Sequence, residues 1–366
     1  MRLKWDKNRL LECKENIKRI KKSDIFEDLF SKELMLMYDV LLGNTKILDP
    51  DDDQPYGIKD LKAIIKDYNK YIINSFNPKF AKAYTYLFEY YGKMCSDSKE
   101  YKIRQIITDE ELSKSCYDTY LSIDKSFKDP IDFLHNKKQI HVDRDNELGL
   151  SSRCSCDPYN NTGFSYINMR ETFHTKESIF NHEVAHAIGA MSKNSFYREN
   201  EIYNEMHSIF MSLYTNEYLY QKTKNPIYLQ GNLNYLNYLI SLINKLNLMD
   251  IISNQKTITT ESVIENIRAT LGLKITDLSY FISTLCETDT ETNFQYLILG
   301  VLALQMLSFD EEKQKYLFKK TLYKDYQNED ELLKDIEFND EDEFGFINLF
   351  HDSIGYHNYL LKRIKM

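Results

Sequence analysis

Proline and glycine are scarce in this chain, with 6 Pro and 11 Gly among 366 residues. So few turn formers argue against a fold of many short strands and in favour of helices. Cysteine is also sparse. Cys13, Cys95, Cys116, Cys154, Cys156 and Cys286 are scattered, which fits a reduced compartment better than a disulfide scaffold. Only Cys154-Ser155-Cys156 is closely spaced, and no second pair at zinc-site spacing accompanies it. Two ordinary thiols are the simpler reading of that piece; a redox or second metal role is the alternative. No apolar run reaches the ~18 residues of a membrane span. The longest candidate, Phe294 to Phe309, is interrupted by Gln295 and Gln305. The first residues, Met1-Arg2-Leu3-Lys4-Trp5-Asp6, lack the apolar stretch of a signal peptide, so a cytoplasmic location is the default expectation. With a net charge of −9 and no basic stripe, nucleic acid is not an expected partner.

Leu, Ile, Lys, Glu and Tyr are plentiful, and 42% of residues are apolar, enough for a globular core. Leu10, Ile17 and Ile20, then Leu29, Leu34, Met37, Val40 and Leu41, recur at mostly helical steps. Residues 49–55 read as a loop, 58–94 as further helices, and 109–126 as another. Between Asp129 and Thr172 the pattern changes to alternation (Val142, Leu148, Leu150, then Phe164, Tyr166, Ile167), the best place for strands. Helices dominate again from Thr175, with acidic clusters at 310–312, 329–332 and 340–343 as solvated turns or helix starts. The expected division is an amino-terminal helical lobe over 1–130 and a catalytic region over 131–366.

The most specific feature is Asn181-His182-Glu183-Val184-Ala185-His186. Thr175 is a plausible N-cap, and Glu177 falls in the first turn beside the positive helix end. Phe180, Val184, Ala187, Ile188 and Met191 form an apolar stripe that the two histidines avoid. Residues i and i+4 stack on one helix face, so His182 and His186 can offer two imidazoles to one metal ion. Glu183 projects about 100° around from His182, where a general base for an activated water belongs.

A tetrahedral catalytic zinc needs a third protein ligand and one open position. The segment from Arg198 to Phe210 supplies candidates. Ile202, Met206, Ile209 and Leu213 mark one helix face, while Glu201, Glu205, Ser208 and Ser212 mark a polar one. Glu205 is the first choice, Glu201 the second and His207 the third. Just upstream, the segment from Gly163 to Arg170 has the character of an edge strand to which a peptide could add by backbone hydrogen bonds, beside Tyr166 and Asn168.

Together these pieces resemble the oligoendopeptidase F and thimet oligopeptidase superfamily of zinc metallopeptidases, which are gluzincins. The likeness rests on the loop Arg153–Asp157, Tyr166-Ile-Asn-Met-Arg170, the His182-Glu183-Val-Ala-His186 helix and Glu205-x-x-Ser208. Tyr296 to Gln305 resembles a helix that opens with substrate-facing tyrosines, and the acidic helical tail is a weaker match. The coverage is about residues 150–340. The resemblance implies a mainly α fold with a small β-sheet beside the active-site helix, a zincin-type catalytic core and a channel. It implies Zn2+ held by His182, His186 and Glu205, with Glu183 activating water to hydrolyse short unstructured peptides. It also implies substrate contacts at Tyr166 and Asn168, and an oxyanion donor among Tyr296, Tyr356 and His351. The chain departs from the family at Ala185, usually Gly, and at Gly189, where the family has a further histidine. His351-Asp-Ser-Ile-Gly355-Tyr356 resembles a family piece but falls unusually late. The alternatives are a toxin-like or regulatory zinc protease with one protein substrate, and a non-catalytic peptide-binding relative.

Overall fold

The structure, a computed structural model, describes residues 3–22, 25–45, 59, 61–66, 102–171, 173–191, 201–255, 257–271, 290–323, 326, 329–337, 355–356 and 358–364. The loop expected at 49–55 and Cys95 and Cys286 lie outside these residues, as do most of the helices expected over 58–94. The chain divides into two compact units. One comprises Met1–Leu48, Lys102–Asn232 and Met306–Glu329; the other comprises Asp49–Tyr101, Leu233–Gln305 and Asp330–Met366. The boundary expected at 130/131 does not separate them, because residues 102–232 run through it within one unit.

Described elements of the first unit begin with helices α1 (Lys7–Arg19), α2 (Ile25–Leu41), α3 (Asp109–Ile123) and α4 (Lys128–Asn136). Thr108 and Glu111 close a reciprocal capping box that starts α3. Helix α4 occupies ground where alternation suggested strands. Strands β1 (Ile140–Asp143), β2 (Arg153–Asp157) and β3 (Thr162–Asn168) follow, then α5 (Lys176–Ala190) and α6 (Glu201–Thr223). Leu148 and Leu150 fall between strands, and Arg153–Asp157, expected as a loop, is a strand. Helix α10 (Glu311–Leu322) starts at an Asp310 N-cap, so the first acidic cluster is a helix start.

The sheet order is β1-β3-β2, with β1 parallel and β2 antiparallel to β3. This corrects the edge-strand expectation: β3 is central, and its ladder groups on both sides are already paired. Tyr166 and Asn168 are correspondingly occupied by the sheet and its loops. Tyr166 is fully buried and its hydroxyl donates to Asp143. Asn168 donates to the carbonyl of Leu150 at 2.7 Å, and its own Oδ1 accepts from the amide of Arg170 at 2.9 Å.

Every residue of β3 is buried, because both faces of the sheet are covered. Phe164 and Tyr166 point toward α1 and α2, into a core with Trp5, Leu10, Cys13, Ile17, Leu34 and Tyr38. Burying Phe164 there contributes roughly 1.5–3 kcal/mol. The alternate residues Gly163 and Ser165 meet α5 on the other face, and Ser165 donates to the carbonyl of Glu183 at 2.8 Å. Gly163 is required by this approach, since a Cβ there would lie 2.8 Å from the Ala187 Cα and 3.0 Å from the Cys154 sulfur. Gly163→Ala is therefore expected to destabilise the protein by about 1–3 kcal/mol, read as a lower midpoint in urea. An unchanged midpoint would mean that α5 can shift off the sheet without cost.

The second unit includes most of α7 (Ile227–Ser253), α8 (Thr260–Leu271), most of α9 (Thr290–Ser308) and α11 (Glu329–Asp335). Leu236, Leu239, Leu246 and Met249 of α7, with Leu297, Val301 and Leu302 of α9, are buried within it. A Cβ on Gly300 would lie 2.6 Å from the Leu239 and Tyr235 side chains, so α9 passes close to α7. No described helix is long and apolar enough to cross a membrane.

Candidate metal centre

Helix α5 is built to be held still. Thr175 caps it, accepting from the amide of Ser178 at 3.3 Å, and its hydroxyl donates to Asn216 at 2.7 Å. Glu177 in the first turn accepts from Tyr228 at 2.8 Å and from Gln105 at 2.7 Å. Tyr120 of α3 donates to the carbonyl of Asn181 at 2.8 Å, and Asn181 donates to Thr215 of α6 at 2.9 Å. Below this turn Tyr120, Phe127, Phe210 and Phe318 pack ring against ring, with adjacent centroids 5.4–5.6 Å apart. Of the 15 residues of α5, every one is buried except His182 and His186. The helix therefore opens to its surroundings only where the two imidazoles stand.

The imidazoles converge with a carboxylate from α6. The two Nε2 atoms are 3.2 Å apart. Glu205 places Oε2 3.5 Å from the His182 Nε2 and Oε1 3.4 Å from the His186 Nε2. Zinc bonds of ~2.0–2.2 Å put tetrahedral neighbours ~3.3–3.5 Å apart, so this triangle fits one face of a tetrahedral zinc site. Among the described residues, this is the one group of three such ligands whose donor atoms lie within 4.8 Å of one another. The side chains of His182 and Glu205 keep 21% and 29% of their surface exposed, leaving a side from which a fourth ligand can enter.

Sequence reasoning left three candidates for the third ligand, and packing of α5 on α6 brings Glu205 to the imidazoles. His207 is buried, with its ring 5.7 Å from that of His186, and it is not part of the donor triangle. The Glu201 side chain lies outside the described residues. Gly189, where a further histidine was noted as missing, has the His207 Nε2 3.4 Å from where its Cβ would be. His207 thus occupies the room that a larger side chain at 189 would need. Tyr296, on α9 with its ring 6.5 Å from that of Tyr238, and Tyr356 belong to the second unit, and His351 lies outside the described residues.

The charges suit a cation. Burial works to raise the Glu205 carboxyl, but His186 and His182 outweigh it and hold it well below the ordinary carboxylate range. Burial pushes Glu183 up to about 8; His182 opposes the shift, while Glu205, Glu171 and Cys156 add to it. A cation seated among the ligands would draw Glu183 back down toward its ionised form.

The hydroxyl of Ser212 completes the arrangement and carried little signal in the sequence beyond its place on the polar stripe. Its Oγ lies 3.1 Å from the His182 Nδ1 and donates to the carbonyl of Ser178 at 3.4 Å. That network assigns the proton to Nδ1 and leaves the Nε2 lone pair facing the triangle. Ser212→Ala is expected to weaken metal binding by about 10–100-fold, measured by chelator competition, with the fold intact. Unaltered affinity would show that the hydroxyl does not set the ring.

Two imidazoles one helical turn apart and a glutamate from the next helix are the donor types of a His2Glu site, and this group could hold a metal ion. The whole fold is mainly helical and resembles that of peptidases of the oligoendopeptidase F kind. A solved structure described as PZ peptidase A with an inhibitor matches with a TM-score of 0.50 at 12% identity over 96% of this chain and 71% of its own. A protein assigned as an oligoendopeptidase F matches with a TM-score of 0.52 at 12% identity, over 91% of this chain and 66% of its own. A Bacillus anthracis protein of the same assignment gives a TM-score of 0.49 at 11% identity, over 91% of this chain. The chain spans 62–71% of the length of the solved chains it matches. In sequence, no family model matches it, and neither does any curated protein.

Proposed function

We propose that this protein is a zinc-dependent endopeptidase that hydrolyses peptide bonds in short unstructured peptides. The observation that carries the reading is the donor triangle of His182, His186 and Glu205, with edges of 3.2–3.5 Å. When bound there, zinc supplies Lewis acidity, acidifying water toward pKa ~7 and polarising a carbonyl oxygen.

The chain's own groups do the rest. His182 and His186 would hold the metal through Nε2, and the Ser212 hydroxyl at the His182 Nδ1 keeps that ring's Nε2 turned toward Glu205. Glu205 supplies the negative charge. Glu183 follows His182 on the same buried turn and takes the proton from attacking water on its carboxylate, then passes it to the departing amine. Ser165, through the Glu183 carbonyl, and Tyr120, through the Asn181 carbonyl, hold this turn in register. A protein that only bound peptides would have no use for an acid beside the donor set, which favours catalysis over binding alone.

The test is metal content together with peptide profiling. The purified protein should hold about one zinc per chain and cleave many short peptides, lose that activity to a chelator and regain it with zinc. Absence of bound zinc overturns the reading. Bound zinc with cleavage of a single folded protein would replace the substrate class and keep the chemistry.

A further inference from the structure

We propose that the buried pair Asn181–Thr215 sets the register of α6 on α5, and so brings Glu205 to the imidazoles before any metal arrives. The Asn181 Nδ2 donates to the Thr215 Oγ1 at 2.9 Å, and both residues are fully buried. They are positioning residues, since neither belongs to the donor triangle.

A second buried bond crosses the same interface. The Thr175 Oγ1 donates to the Asn216 Oδ1 at 2.7 Å, and the Asn216 Nδ2 donates onward to Asn232 of α7 at 2.9 Å. Thr215 and Asn216 are consecutive on α6, yet they reach α5 at positions six apart, ~9 Å along its axis. Two bonds that diverge in this way oppose both sliding and rolling of one helix on the other.

The apolar contacts are less selective. Met206, Ile209, Phe210 and Leu213 of α6 are buried, as are Phe180, Val184, Ala187 and Ile188 of α5. Burial of such surface is non-directional and follows area rather than alignment. A slip of one residue moves a helix ~1.5 Å along its axis. Edges of 3.2–3.5 Å in the donor triangle do not survive such a slip.

Stability alone does not account for the pair. Among the described residues, the Asn181 Oδ1 is buried without a hydrogen-bond partner. Part of the cost of burying this amide is therefore uncompensated. Apolar side chains of similar shape at both positions would carry no such cost. A single buried Asn fixes register between coiled-coil helices in the same manner, at the expense of stability.

The experiment compares wild type with Thr215→Val, the double variant Asn181→Leu/Thr215→Val and the conservative Thr215→Ser. Thr215→Val strands the Asn181 amide and should lower the midpoint in urea. The double variant should regain that midpoint, because neither polar group remains. Zinc affinity, read by chelator competition, should nevertheless stay ~10–100-fold below wild type in both. Thr215→Ser keeps the hydroxyl and should keep the affinity. Wild-type zinc affinity in the double variant overturns the proposal.

That comparison rests on the proposed metal site. Crystal structures of the metal-free wild type and double variant do not. In the double variant Glu205 should stand displaced from the imidazoles by more than the ~0.5 Å that a preorganised site tolerates. An undisplaced Glu205 overturns the register role. A displaced Glu205, in a protein whose wild type never holds zinc, would sink the metal site and leave the register role standing.

Discussion

Replacing Glu183 with glutamine is expected to leave zinc bound and lower peptide hydrolysis by roughly 10²–10⁴-fold. The substitution keeps the shape of a side chain that is 5% exposed in a closely packed turn. The donor triangle is made by other residues, so metal content should be unaffected. What disappears is the one carboxylate that follows a ligand on the same turn and can carry a proton. A second reading of the same variant checks that the fold survives. Burial raises the folded Glu183 above the ordinary carboxyl value of 4.5, to about 8. A carboxyl raised on folding costs stability as pH climbs from its unfolded value through its folded one. Without metal, Glu183→Gln should therefore gain stability over wild type between about pH 4.5 and 8, and keep the gain above that. Denaturant titrations of both proteins at several pH values would show this. Zinc-loaded Glu183→Gln turning over at the wild-type rate would remove Glu183 from the role of base.

Glu205→Ala should have the largest effect on metal. It removes the only carboxylate donor of the triangle and leaves two imidazoles 3.2 Å apart. Loss of a supporting partner alone costs ~10–100-fold in affinity, so loss of a ligand is expected to exceed ~100-fold. Hydrolysis should fall with zinc occupancy. The fold should persist, because the apolar anchors of α6 next to it (Met206, Ile209, Phe210 and Leu213) remain buried. Calorimetric titration of zinc into the metal-free variant, with circular dichroism as control, checks both parts. Unchanged affinity would move the third ligand to another group, with Glu201 the next to test.

Different parts of this molecule were legible in the sequence to different degrees. The cap at Thr175 and the helix Lys176–Ala190 follow from local chemistry, since a capping hydroxyl and helical periodicity need no distant partner. Much of the central sheet did not follow. Arg153–Asp157 has charged ends and alternates exposed and buried residues around two cysteines, a weak strand signal that only pairing with β3 resolves. Alternation in Gly163–Asn168 tells which residues share a face, but it does not tell whether a strand lies at an edge. Tyr166 and Asn168 therefore read as ligand-facing residues, although their polar atoms are taken by Asp143, Leu150 and Arg170. Chain order also concealed the compact units, because their segments interleave along the sequence.

By itself the amino-acid order determined that two imidazoles and an adjoining acid would stand on one helix, since a period of 3.6 residues stacks positions 182 and 186 whatever surrounds them. Which carboxylate meets them was decided only by the packing of α5 against α6, as was the hydroxyl that orients His182. Those contacts join residues 19 to 30 positions apart, and no local propensity specifies the distance between two helices.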